Sequence, residues 1–425
     1  MKKHLWIAAA FAALTLVSGC KSNGHAQNST LMRSLNAVVD AEPLDVLVDS
    51  DVKTSALAFG ATSPYSQFDS GTRDVQVRSS TAQTILSDKQ ISFSSGINNT
   101  LLVYGKRAAM QTQVMVDDTT TPSSGHFRVR AINLSADTGA VDLYVTSGSI
   151  TGTGSVIPAA SFGALTGAAE VANGSLRVTL TTSGTQDILF QSAAQNFSDN
   201  STYTVAVLPS LGGKLVSAAL LTQGTSGAGT LLQNPLARVK AVNAIADASA
   251  LNFKADGTVL LSSVPFMGRS SYVTTASGTH ALQIEASNVP GTTIASVSKQ
   301  LDPSRDYSTV AAGALATPSV LAFADDNSLP TAGFAKIRFV NAGAGSVATD
   351  VLVNFAAQTT GLAYGTASTY FQVTPSLTYT ITFATPGGVS VIATATPVEL
   401  DASAIYTAYL FGAGSTAQVR IVRDR

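Results

Sequence analysis

Two pairs of adjacent carboxylates stand in a shared frame. Asp117 and Asp118 open "DDTTTPSSG", and Asp325 and Asp326 open "DDNSLPTAG", each as Asp-Asp, three residues, Pro, two residues, Gly. Hard oxygen donors side by side could clamp Ca²⁺, but such a site takes about six or seven oxygens and few other acids lie nearby in the sequence. A solvated turn, with Asp accepting backbone hydrogen bonds, is the plainer expectation. A second polar set recurs four times: Asn36, Asn133, Asn243 and Asn341 are followed nine residues later by Asp45, Asp142, Asn252 and Asp350. Four such pairs could line equivalent ligand sites and give avidity for a repetitive polymer. They could equally fix loops by bonding to the backbone, and this is the reading expected here.

Catalytic groupings are scarce. Two of the four histidines, His4 and His25, fall in the first 25 residues, and His126 and His280 stand far apart without a nucleophile motif beside them. No GxSxG elbow, HExxH, CxxC or phosphate-cradling glycine loop occurs. Nothing points to a paired-carboxylate glycosidase site. The expectation is a non-enzyme that needs no cofactor, with a glycan-acting enzyme as the third reading. The single tryptophan, Trp6, lies near the N-terminus. Tyr65, Tyr272 and Tyr370 could replace it as a sugar platform, but aromatics at fixed strand positions are expected in cores or corners.

The N-terminal residues predict an address. "MKKHLWIAAAFAALTLVSGC" has a basic start and an apolar run from Leu5 to Val17. That run is too short for a spanning helix, which needs about 20 residues, and has the form of a signal-peptide core. Val17-Ser18-Gly19-Cys20 resembles the bacterial lipobox. Cys20, the only cysteine, is then the expected lipidation site, holding the protein on a membrane through acyl chains. Lys21 follows it rather than the aspartate associated with inner-membrane retention, so the outer membrane is the expected destination in a Gram-negative cell. Residues 21 to 30 read as a polar tether. Only 12% of the 425 residues are charged and the formal net charge is -1, so nucleic acid is not an expected partner.

The elements that carry these residues repeat as well. Each ruler asparagine ends a short alternating strand: "LMRSLN", "FRVRAIN", "ARVKAVN" and "AKIRFVN". Phe59, Phe266 and Tyr364 lie 23 residues beyond it, and Phe162 lies 29 beyond because a Gly/Ser-rich insertion lengthens the second copy. Alternating runs separated by Gly, Pro, Ser and Asp turns predict six or seven strands per copy. The predicted fold is all-β: four tandem immunoglobulin-like β-sandwiches after a cleaved lipoprotein signal peptide. The boundaries expected are 1–19 for the signal, 20–30 for the lipidated cysteine and tether, and 31–118, 126–221, 236–326 and 334–425 for the sandwiches. The matching joints predict two stiff pairs, a looser linker near 222–235 between them, and an extended or bent rod.

A first strand ending in Asn, a turn with Ala and Asp, and then "VDLYV" resemble the bacterial domain of unknown function 4397. The resemblance covers residues 31 to 425 and is strongest in the second copy. It implies an exported, often lipid-anchored protein with tandem domains and carries no established activity. The expected role is non-catalytic display at the cell envelope or surface, for adhesion or binding of a protein or polysaccharide. The alternative is a periplasmic structural or assembly scaffold.

Overall fold

A computed structural model describes residues 28–210, 212–224, 229–412 and 414–425. The signal, Cys20 and most of the tether lie outside the described residues. In the first copy, eight strands form: β1 (Ser29–Asn36), β2 (Leu44–Val48), β3 (Asp51–Leu57), β4 (Ser66–Asp69), β5 (Gly71–Ser79), β6 (Ile85–Phe93), β7 (Asn98–Lys106) and β8 (Ala109–Val116). They make two sheets, ordered β4-β1-β7-β8 and β3-β2-β5-β6. All pairings are antiparallel except β1 with β7, which is parallel. The same two sheets recur in the other three copies. The second copy adds Thr230–Leu232 beside its last strand and splits its β6 counterpart into Ile188–Gln191 and Gln195–Phe197.

The architecture is therefore the expected series of β-sandwiches, each with its own apolar core drawn from both sheets. Burial of alternate side chains between facing sheets drives each one. Strand order differs from the antibody constant domain, where the sheets run ABED and CFG. The strands beyond the expected six or seven are edge strands such as β3, β4 and β6, whose side chains are mostly exposed or half-buried. An edge strand with little to bury carries only a weak alternating signal.

Copies do not follow one another as a rod. β1 and β7 are buried on both faces in every copy, and such strands read as nearly continuous apolar runs. One face meets its own sandwich and the other meets the neighbouring copy. Leu35, Ala37, Leu102, Tyr104 and Met115 of the first copy pack on Ile132, Leu134, Ala206, Leu208, Ala219 and Leu221 of the second. Val242, Ala244, Val310 and Ala312 of the third do the same with Val340, Ala342, Tyr409, Phe411 and Val422 of the fourth. Phe59, Phe162, Phe266 and Tyr364 border these two contacts.

The segment expected to be a loose linker is anchored where it is described. Thr230–Leu232 pairs with Ser217–Thr222, and the buried Asn234 amide donates to the carbonyls of Leu189 and Val216 at 2.7 and 2.9 Å. The two pairs also touch. Asn327 N–H donates to Gly212 C=O at 2.9 Å, and Leu329 N–H and C=O meet Asp137 and Lys106 at 3.3 and 2.5 Å.

Candidate functional site

The recurrent Asn and its partner nine residues on form one clip. All four asparagines are fully buried. Each Oδ1 accepts the N–H two residues ahead, from Val38, Ser135, Ile245 and Gly343 at 2.9 to 3.3 Å, which is an Asx turn. Each Nδ2 donates across the sandwich, to the carbonyls of Leu57, Ala160, Val264 and Leu362 at 2.9 to 3.2 Å. The residue just before each of those carbonyls has positive φ: Ala56, Ala159, Ser263 and Gly361 at 49°, 52°, 53° and 65°. Its N–H is held by Oδ1 of Asp45, Asp142, Asn252 or Asp350 at 2.7 to 3.0 Å. The pair thus pins a β-bulge, and its remaining polar atoms meet neighbouring groups of the same copy: Arg78 on Asp45, Ser183 and the Gly184 N–H on Asp142, Glu285 on Asn252, and the Gly387 N–H on Asp350.

The joint aspartates meet cations. Asp118 accepts two bonds from Arg128, at 3.2 and 3.3 Å, and Asp326 lies 2.9 Å from the Lys336 ammonium. Asp117 accepts from Thr100 at 2.8 Å and from Tyr65, with Arg33 3.8 Å away. Asp325 takes Arg338, Tyr272 at 2.5 Å and Ser308 at 2.7 Å. Among the described residues, no group of three or more His, Cys, Asp or Glu side chains is placed to hold a metal. Asp118 and Asp326 are met by cations five positions before a ruler asparagine, Arg128 and Lys336. Asp117 and Asp325 are met by cations three positions before one, Arg33, Lys240 and Arg338, and the second copy has Arg130 at that place. A basic residue at the same place in four apolar strands was the signal for them.

Each of these cations sits in register with a hydroxyl on the parallel β7-type strand: Thr100, Thr204, Ser308 or Thr407. Each also crosses to the paired sandwich. Arg33 donates to Thr222 C=O at 2.9 Å and Arg130 to Val116 C=O at 2.6 Å. Lys240 reaches Asp424, while Arg338 reaches Asp325 and the Ala324 carbonyl. The two contacts in a pair are reciprocal, as in an isologous dimer interface.

Burial opposes charge on Asp325, but Arg338 and Lys240 outweigh it and hold the carboxyl below its usual range. Burial likewise works against Lys240, and Asp424 and Asp325 raise its pKa regardless. Tyr272 and Tyr370 are driven well above the ordinary phenol value, first by burial. Their rings lie against the cross-pair cations: Lys240 is 5.0 Å from the Tyr272 centroid and Arg338 4.8 Å from that of Tyr370. Tyr272 and Tyr370 therefore stand as part of the pair contact. His280 bonds Asp256 at 2.7 Å and the Ala276 carbonyl at 2.9 Å, in the place where the first copy has Arg73 on Asp49. The His126 ring bonds the Ser124 carbonyl at 3.1 Å.

Open volume lies along the pair contacts. In the first pair a groove of about 530 Å³ is lined by Met115, Val116, Asp118, Arg130 and Leu165. Its counterpart in the second pair, about 570 Å³, is lined by Phe323, Ala324, Asp326, Arg338 and Ala367, with Lys299 and Arg305 added. A third space of about 400 Å³ lies where three copies meet, between Val39, Lys106, Leu134, Asp137, Pro209 and Arg305. The first two are open to solvent along their length, and the third is the more enclosed.

Comparison with curated proteins gives no match. Among solved structures, the Bacillus anthracis TIE protein aligns over 92% of this chain and 68% of its own, at 8% identity and a TM-score of 0.15. A product complex of SpuA, a multi-modular glycogen-degrading pneumococcal virulence factor, aligns over 64% of this chain and 37% of its own, at 10% identity and a TM-score of 0.16. Likenesses this weak carry no argument. The model of one family matches residues 30–144, 237–349 and 335–425. The matches leave 145–236 uncovered, where the same two-sheet order continues. With most of its length so matched, the chain belongs to the family described as a domain of unknown function (DUF4397).

Proposed function

We propose that the protein is a non-catalytic, lipid-anchored binding protein of the cell envelope or surface, displaying its sandwiches for adhesion to a protein or polysaccharide. The observation that carries the binding part is the recurrence of one groove in both pairs, with Arg130, Leu165 and Met115 in one and Arg338, Ala367 and Phe323 in the other. Two grooves on one chain give a ligand with repeated units a second, intramolecular contact. The His126 ring bonds a backbone carbonyl, His280 is tied to Asp256 and a backbone carbonyl, and the recurrent acids hold bulge N–H groups, which supports a role without catalysis. The anchor rests on the sequence at Cys20.

Protease shaving of intact cells tests the display, using an antibody to the fourth sandwich and a periplasmic protein as control. Loss of the fourth sandwich with the control intact is expected. Protection that ends only on permeabilisation of the outer membrane would remove the surface reading and favour a periplasmic scaffold. Cys20→Ala should move the protein from the membrane fraction to the soluble one.

A further inference from the structure

The two grooves share a plan but differ in charge. In both, an arginine from the later copy forms part of the lining and is already engaged, Arg130 with Val116 and Gln223, Arg338 with Asp325. The groove of the second pair has two further cations. Lys299 lies opposite His280 in its hairpin, as Ile91 lies opposite Arg73 in the first copy. Arg305 has its C=O bonded to Arg238 N–H, as Ile97 has to Leu31 N–H. Charges therefore stand where the first copy has two isoleucines.

These two cations are poorly matched within the protein. Among the described residues Lys299 has no carboxylate within salt-bridge reach, and its ammonium lies 6.0 Å from the Tyr307 ring centroid. Arg305 meets one carboxylate, Asp302, through Nη1 at 3.4 Å, and its Nε is buried without a hydrogen-bond partner. The nearby acid Asp326 is engaged by Lys336 and Ser328. The Nε faces the protein interior, so what the groove offers a ligand is the Nη edge of Arg305 and the Lys299 ammonium, with a single long carboxylate contact between them. That excess of positive charge suits an anion that arrives from outside.

We infer that the groove of the second pair binds an oxyanion, a carboxylate or phosphate group carried on a sugar-sized molecule, between Arg305 and Lys299. The guanidinium supplies the planar fork that such groups accept, and the lysine adds a point charge. The groove runs on past the two cations to Ser368, Thr369 and Tyr370, which leaves room for the molecule that carries the anion. The inference rests on the reading of the grooves as ligand sites and names the chemistry of one of them.

Titration calorimetry on the full mature chain tests it, with glucuronate, glucose 6-phosphate and glucose as probes. One site per chain is expected for glucuronate or glucose 6-phosphate, and which binds more tightly distinguishes a carboxylate from a phosphate source. Affinity should fall at least tenfold in Arg305→Gln and separately in Lys299→Gln, and should weaken with added salt. Thermal melts of both variants check that they fold. Equal binding of glucose, two equal sites, or unchanged affinity in both variants would overturn the inference. If no probe binds while the protein still coats its cell surface, the oxyanion site fails and the display reading stands.

Discussion

Arg338 of the fourth sandwich lies buried against Asp325 at the end of the third, and the two carry opposite charges across a contact that also has an apolar side. Desolvating such a pair costs about as much as its attraction returns, so its contribution is less to stability than to which arrangement is allowed. Lys240 and Asp424 make the reciprocal contact. A slip or rotation of one sandwich on the other would leave four buried charges unmatched.

Arg338→Met should therefore destabilise the second pair by about 3–5 kcal/mol, because Asp325 is left buried with less compensation. Denaturant unfolding with a probe in each pair would check this. An equal loss in both pairs would contradict the local account.

Acid should act on the same contact. Asp325 titrates below its ordinary value in the folded state, so its contribution is present above the unfolded value of about 3.9 and is lost as pH falls through the folded one. Lys240 is raised, so its contribution is present below about 10.4 and lost as pH rises through its folded value. The stability difference between the wild type and Arg338→Met, followed against pH, should shrink as acid protonates Asp325.

The clip asparagines give a stability effect without a binding effect. Asn243→Ala leaves the Val264 carbonyl and the Ile245 N–H unpaired, at about 1–3 kcal/mol for each buried group. Oxyanion affinity should not change in the folded fraction, as read by calorimetry.

Phe355 occupies a two-residue hairpin turn with Asn354, at φ of 69° and 47°, and is 82% exposed. The third copy has Gly257 at the same place, with φ of 81°. A bulky residue at positive φ is strained, so Phe355→Gly should raise stability by about 1 kcal/mol. Thermal unfolding would show it.

Gly213 carries the contact between the second and third copies. A Cβ there would lie 2.2 Å from the Ser304 carbonyl oxygen, so Gly213→Ala must open the contact by roughly 1 Å to reach an ordinary C···O distance. Small-angle scattering should report a larger radius of gyration, with each pair still folded by circular dichroism.

Much of this molecule is local and therefore legible. Alternation of period two gave the core strands, because successive side chains in a strand face opposite ways. The spacing from Asn36 to Asp45 and its three repeats marked one loop-fixing device, since both side chains bond to backbone near in sequence. Edge strands such as β6 escaped because they bury little. The rod did not survive, although the continuous apolar runs at "TYTVAVL" and "IYTAYLF" already asked for cover on two faces. What covers them, and what the buried cations meet, only the tertiary structure decided. Arg33 and Thr222 are 189 residues apart and Lys240 and Asp424 are 184. Local spacing holds no record of a contact made by packing whole sandwiches face to face. The two unmatched cations, Lys299 and Arg305, reach one groove for the same reason.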